Sequence, residues 1–119
     1  MTLVDTSVWV NFLRVGDVRM EALLDTAAVA THPLVIGELA LGNLTNRGSF
    51  LAMLLKLPDV PVAIESEVLD LIERHELMGK GVGIVDIHIA ASARLAGLPL
   101  WTLDKRLNAV AHDLGIYTN

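Results

Sequence analysis

Apolar residues are arranged along this chain in two ways. Short runs suit buried strands, and recurrences every three or four positions suit helices lying on a core. Thr2-Leu3-Val4 is the first run, and it stops at Asp5-Thr6-Ser7, residue types that end strands and cap helices. Asp5 thus stands at the end of the first strand. Val8 to Leu13 and Val18 to Leu24 read as short helices with a turn at Gly16-Asp17, and Ala27 to Ala30 is a strand candidate. Thr31-His32-Pro33 starts a helix that runs to Gly42, with Pro33 in its first turn. Arg47 to Leu57 forms another helix, broken by Pro58, and Val60-Pro61-Val62 suggests a further short strand. Glu65 to Leu77 is amphipathic, with Val68, Leu69, Ile72 and Leu77 on one side and Glu67, Asp70, Glu73 and Arg74 mostly on the other.

The stretch from Gly81 to Leu107 organises the rest. A glycine-rich loop, Met78 to Gly83, leads to Asp86, which is set between Val85 and Ile87. The helical pattern that follows (Ile87, Ala90, Ala91, Arg94, Leu95) ends at Gly97 with Pro99 just beyond, a helix stop signal. Leu98 to Leu103 is too short for a helix and apolar enough for a buried parallel strand, with Asp104 at its end. Lys105 to Leu114 forms a last helix before Gly115, and Ile116-Tyr117 can add an edge strand. Helices alternating with short apolar strands predict an α/β sandwich with a mostly parallel sheet. In such folds ligands bind beyond the carboxyl ends of the strands, where these acids would gather.

Composition narrows the functional classes. At 119 residues the chain is long enough for one domain with a real core and too short for two. Hydrophobic residues make up 53% of it, with mean hydropathy +0.53, yet no apolar run approaches the roughly 18 residues of a membrane span. The apolar excess suggests a partner-binding surface. Cysteine is absent and no signal peptide is evident after Met1, so a cytoplasmic location is expected. A net charge of −5 argues against a protein held on nucleic acid by bulk electrostatics, but leaves room for a metal-dependent nuclease.

Ten of the fourteen acidic residues fall in turns, beside other polar residues or on outer helix faces, where charged side chains belong. The other four, Asp5, Glu38, Asp86 and Asp104, each interrupt an apolar segment. The chain offers no matching set of cations: only Arg94, Lys105 and Arg106 lie close in sequence. Two carboxylates about 5 Å apart repel by roughly 3 kcal/mol at an effective dielectric of 20, so something must offset the charge. An all-oxygen ligand set favours Mg²⁺ or Mn²⁺, which support phosphodiester cleavage by activating water and neutralising developing charge.

Other candidates carry less chemistry. His32, His75, His88 and His112 lack metal-ligand spacing and read as surface or capping residues. Ser7 has no GxSxG context, and no phosphate-binding glycine loop is present. Trp9 and Trp101 sit in apolar runs and read as core. Thr102, two residues before Asp104, would point to the same edge of a strand as that acid.

The segments LVDTSVWVNFLR, THPLVIGELALG and GIVDIHIAASARLAGLPLWTLDKRL resemble the PIN-domain ribonucleases, specifically the VapC-type toxins of bacterial toxin-antitoxin pairs. The resemblance spans nearly the whole chain. It implies a single three-layer α/β/α PIN-like domain over residues 1–119, with a central, mostly parallel sheet of four or five short strands. It also implies that Asp5, Glu38, Asp86 and Asp104 hold Mg²⁺ or Mn²⁺, with Ser7 and Thr102 supporting them. The activity implied is endoribonucleolytic, on single-stranded loops of tRNA or rRNA, by in-line attack of metal-activated water. A homodimer and a VapB-type antitoxin whose C-terminal segment enters the site are implied too. Lys105 and Arg106, adjacent to Asp104, are candidate phosphate contacts. One departure is Asn108, where some relatives carry a further acid. Two other readings are aspartyl-phosphate chemistry, disfavoured because Ser7 stands where a second aspartate is needed, and a catalytically silent PIN-like module that binds RNA or protein.

Overall fold

Leu3 and Val4 are fully buried at the centre of the sheet, and every other element is placed around them. In the computed structural model, which describes residues 1–118, β1 (Thr2–Val4) pairs in parallel with β2 (Val29–Ala30) on one side and β3 (Leu100–Trp101) on the other. The spatial order is β2-β1-β3. Seven helices complete the chain: α1 (Thr6–Val15), α2 (Val18–Asp25), α3 (Pro33–Ala40), α4 (Arg47–Lys56), α5 (Glu65–Arg74), α6 (Ile84–Ala96) and α7 (Lys105–Asp113). They cover the sheet in a three-layer α/β/α arrangement. The chain leaves β1 for β2 on one side and later returns to add β3 on the other. The carboxyl end of β1 is therefore a topological switch point, where an open α/β sheet forms a crevice.

The sheet has three strands, where four or five were expected. The two missing strands are reduced to single bridges, Thr31 with Asp59 and Leu100 with Tyr117. Beside Thr31, the Val60 N–H donates to the Thr31 carbonyl at 2.9 Å, but Pro61 has no N–H with which to extend the ladder. Two helices also end earlier than their patterns suggest. α3 stops at Ala40 rather than Gly42. α5 stops at Arg74, and Glu76 takes a positive φ of 51°; Leu69, expected on its apolar side, is exposed while Leu71 is buried.

α6 packs closely because Ala90, Ala91, Ser92 and Ala93 present little bulk, and all four are buried. It ends at Gly97, whose φ of +69° lets its N–H reach the carbonyls of Ala93 and Arg94. Trp9 is fully buried, edge-on to Phe12 and Phe50 at centroid distances of 6.2 and 5.8 Å. Trp101 is buried beneath the Arg19 guanidinium, 4.2 Å from its ring centroid. Among the described residues no helix is long and apolar enough to cross a membrane.

Candidate metal centre

Parallel strands end on one edge, and each contributes to the same small region. β1 ends at Asp5, which also serves as the N-cap of α1. The chain after β2 passes through Thr31 and His32 into α3, whose sixth residue is Glu38. Asp86 lies in the first turn of α6, and β3 leads through Thr102 to Asp104.

Asp5, Glu38 and Asp86 converge: one carboxylate oxygen from each lies within 4.8 Å of the others. Asp5 is buried, Asp86 half-buried and Glu38 exposed, so the group forms a cleft with a floor and an open side. Among the described residues the only ion pairs are Arg74 with Asp70 and Lys80 with Asp113, so none of the three acids is ion-paired. Burial pushes the Asp86 carboxyl up to about 6, and the neighbouring Asp5, Glu38 and Asp104 push it in the same direction. Three convergent oxygen donors, none of them ion-paired, fit a hard divalent cation.

Asp104 is placed differently. Its Oδ1 accepts from the Leu107 N–H at 2.9 Å and caps α7, and it lies outside the convergent group while still within electrostatic reach of Asp86. The structure thus brings three of the four acids together and sets the fourth at the rim.

Hydroxyls fix the orientation of Asp5. Its Oδ2 accepts from Ser7 Oγ at 2.7 Å and from Thr102 Oγ1 at 2.8 Å. Each hydroxyl has one proton and spends it on Asp5, so each is free to accept elsewhere. Ser7 Oγ accepts from the Leu103 N–H at 3.0 Å, and Thr102 Oγ1 accepts from the Asp104 N–H at 3.0 Å. Both hydroxyls thus hold Asp5 through one oxygen, Oδ2, and the turn bearing Asp104 is tied to the same network.

Glu38 has a support that the sequence pattern does not single out. Thr6 Oγ1 donates to its Oε1 at 2.7 Å. A threonine opening a helix reads as an ordinary helix-start residue, and its partner lies 32 residues away. Next to Glu38 a cavity of about 380 Å³ opens between α1 and α3, walled by Val10, Leu13, Leu39 and Leu44, with Arg14 also lining it.

The two candidate phosphate contacts part company. Lys105 is exposed in the first turn of α7 beside Asp104. Arg106 instead folds over Gly81, with Nη1 donating to its carbonyl at 3.3 Å, and clamps the loop that leads into α6. His32, for its part, is a buried cap: its Nδ1 accepts from the Leu34 N–H at 3.0 Å, and its Nε2 meets Ser92 Oγ at 3.0 Å.

Comparison with known proteins gives the family of the chain. The family model for the PIN domain matches residues 2–113. Ribonuclease VapC32 of Mycobacterium tuberculosis, in strains CDC 1551 and H37Rv, is 45% identical over 117 residues, covering 98% of this chain and 94% of the relative. In fold, the crystal structure of FitAcB from Neisseria gonorrhoeae superposes with a TM-score of 0.68 at 21% identity, covering 98% of this chain and 95% of that one. FitAB bound to a DNA fragment superposes with a TM-score of 0.67 at 18% identity, covering 98% and 92%. Given the family match over nearly the full length and the identity to ribonuclease VapC32, the chain belongs to the PIN-domain family, among its VapC-type ribonuclease toxins.

Proposed function

We propose that this protein is a metal-dependent endoribonuclease toxin that cuts single-stranded loops of tRNA or rRNA. The observation that carries the reading is the convergence of Asp5, Glu38 and Asp86 within 4.8 Å, with none of the three in an ion pair among the described residues. Those three residues would hold Mg²⁺ or Mn²⁺, with Asp104 at the rim facing the substrate side. When bound, such a cation supplies an activated water and neutralises charge on the phosphodiester and its leaving oxygen.

The residues of the chain divide the remaining work. Asp5, pinned through Oδ2, fixes one ligand position from the floor of the cleft, and Glu38 fixes another from its open side. Lys105, exposed next to Asp104, is placed to meet a backbone phosphate. A single-stranded loop suits a recessed acidic cleft because its backbone can be drawn in without unwinding a duplex.

The same reading includes a VapB-type antitoxin as the inhibiting partner, a homodimer as the assembly, and the cytoplasm as the place of action. The apolar cavity beside Glu38 offers a seat for an antitoxin segment that reaches the acids. Exposed Val15, Val18, Leu41 and Leu55 supply apolar surface for further contacts.

The test is cleavage of a mixed tRNA and rRNA pool by antitoxin-free protein, with Mg²⁺ or Mn²⁺, with chelator, and with Asp86→Asn. Discrete fragments that vanish with chelator and in the variant are expected. Undiminished RNA binding without any cleavage by the wild type would instead make the protein a silent binding module.

A further inference from the structure

We infer that Thr6 is the positioning residue that makes Glu38 a metal ligand; the inference rests on the metal-site reading above. Of the three convergent acids Glu38 is the exposed one, on a long side chain that loses substantial rotamer freedom when fixed. Asp5 is held by Ser7 and Thr102, and Asp86 is half-buried in a helix turn. Glu38 is not buried and has a single hydroxyl to hold it. Among the described residues, the hydrogen bond to its carboxylate comes from Thr6, at 2.7 Å.

The geometry of that donor suits the task. Thr6 directly follows Asp5 at the first position of α1, and α1 packs on α3. A threonine is β-branched and restricted at χ1, so its hydroxyl has few directions open to it, and the one observed points at Glu38. The bond engages Glu38 Oε1 and restrains the carboxylate as a whole. It also ties the spacing between the Asp5 and Glu38 carboxylates to one rigid junction, since neighbours of a metal ligand set its orientation and affinity. Thr6 touches neither substrate nor metal in this account; it acts through Glu38.

The experiment is Mn²⁺ binding to the full chain, read by the loss of free-ion EPR signal, for wild type, Thr6→Val and Thr6→Ser, with the melting temperature of each metal-free protein recorded alongside. Thr6→Val keeps the branched shape and loses the donor; it should bind Mn²⁺ about 10- to 100-fold more weakly at an unchanged metal-free melting temperature. Thr6→Ser restores the hydroxyl and should bind within a few-fold of wild type. Cleavage by Thr6→Val should recover as Mn²⁺ is raised, which a general loss of structure would not allow. Wild-type affinity in Thr6→Val, or equal loss in both variants, would overturn the role of Thr6 alone. Absence of Mn²⁺ binding by the wild type would overturn the metal site and this inference with it.

Discussion

Asp5 and Thr102, 97 residues apart in sequence, are joined by a hydrogen bond of 2.8 Å from the threonine hydroxyl to the carboxylate Oδ2. The bond links the ends of β1 and β3, the two strands whose termini carry acids, and passes on to the backbone of Asp104 through the same hydroxyl. Thr102→Val should therefore destabilise the protein by about 2 kcal/mol, the usual range for a buried bond to a charged acceptor. Thr102→Ser should cost under about 1 kcal/mol, since it retains the donor. Urea unfolding of both variants checks the pair.

Charge relief at Asp86 should trade activity for stability. Its carboxyl is pushed up to about 6, which means the folded protein disfavours the ionised form. At pH 8 that cost is fully present. Asp86→Asn should then raise the stability of the metal-free protein by about 1 kcal/mol, after allowance for solvent screening at a half-buried site. The same variant should lose the thermal stabilisation that Mn²⁺ gives the wild type, and its cleavage rate should fall at least about 100-fold. Thermal melts with and without Mn²⁺ read the first two effects.

His32 should make the fold acid-sensitive. Its Nδ1 accepts from Leu34, so the ring proton sits on Nε2 and faces Ser92; a second proton would land on Nδ1 and oppose the cap. Burial holds its pKa below the usual histidine value of 6.5, His88 lowers it further, and Asp59 acts in the opposite direction. The unfolded chain thus takes up this proton first. The stability contributed by neutral His32 is complete above pH 6.5 and is lost as pH falls below it. Urea midpoints measured from pH 8 to 5 should decline through this window in the wild type. In His32→Asn, which keeps a capping acceptor but loses the Ser92 contact, they should start about 1 kcal/mol lower and vary less.

The basic residues after Asp104 should separate by readout. Arg106→Ala should speed amide exchange in the 78–83 loop, because its guanidinium holds the Gly81 carbonyl. Gly81→Ala should cost about 1–2 kcal/mol, since the position has φ +74° and a Cβ would lie 3.1 Å from Arg106 Nη1. Lys105→Ala should leave loop exchange unchanged and weaken RNA binding, reducing the salt slope by about one phosphate contact.

Charges within apolar runs mark the three convergent acids of the candidate site in the sequence. Asp5, Glu38 and Asp86 each break a hydrophobic segment, and such positions are costly without a reason. Helix stops such as Gly97 and the parallel-sheet architecture are equally readable, because they depend on local chemistry. The remainder depends on partners far apart in sequence. Thr6 meets Glu38 across 32 residues and His32 meets Ser92 across 60, and neither partner is marked by its own neighbours. At Val60-Pro61-Val62 the apolar character suggests a strand, but the missing Pro61 N–H limits pairing there to the single bridge of Thr31 with Asp59. Arg106 looked like its neighbour Lys105, and only the fold turns it back onto the Gly81 loop.

The most direct test of the metal-site account is the chemistry of the cut ends. A labelled RNA hairpin carrying the mapped cleavage site would be incubated with wild type and Asp86→Asn, in Mn²⁺ and in chelator, and the termini identified. In-line attack by water breaks the bond to the 3′ oxygen and leaves a 5′-phosphate and a 3′-hydroxyl. A metal centre at these acids should give those ends in Mn²⁺ only, from the wild type only, and still when the nucleotide preceding the cut lacks its 2′-hydroxyl. Fragments ending in a 2′,3′-cyclic phosphate, formed equally in chelator, would place the nucleophile on the RNA itself and contradict a metal centre at Asp5, Glu38 and Asp86.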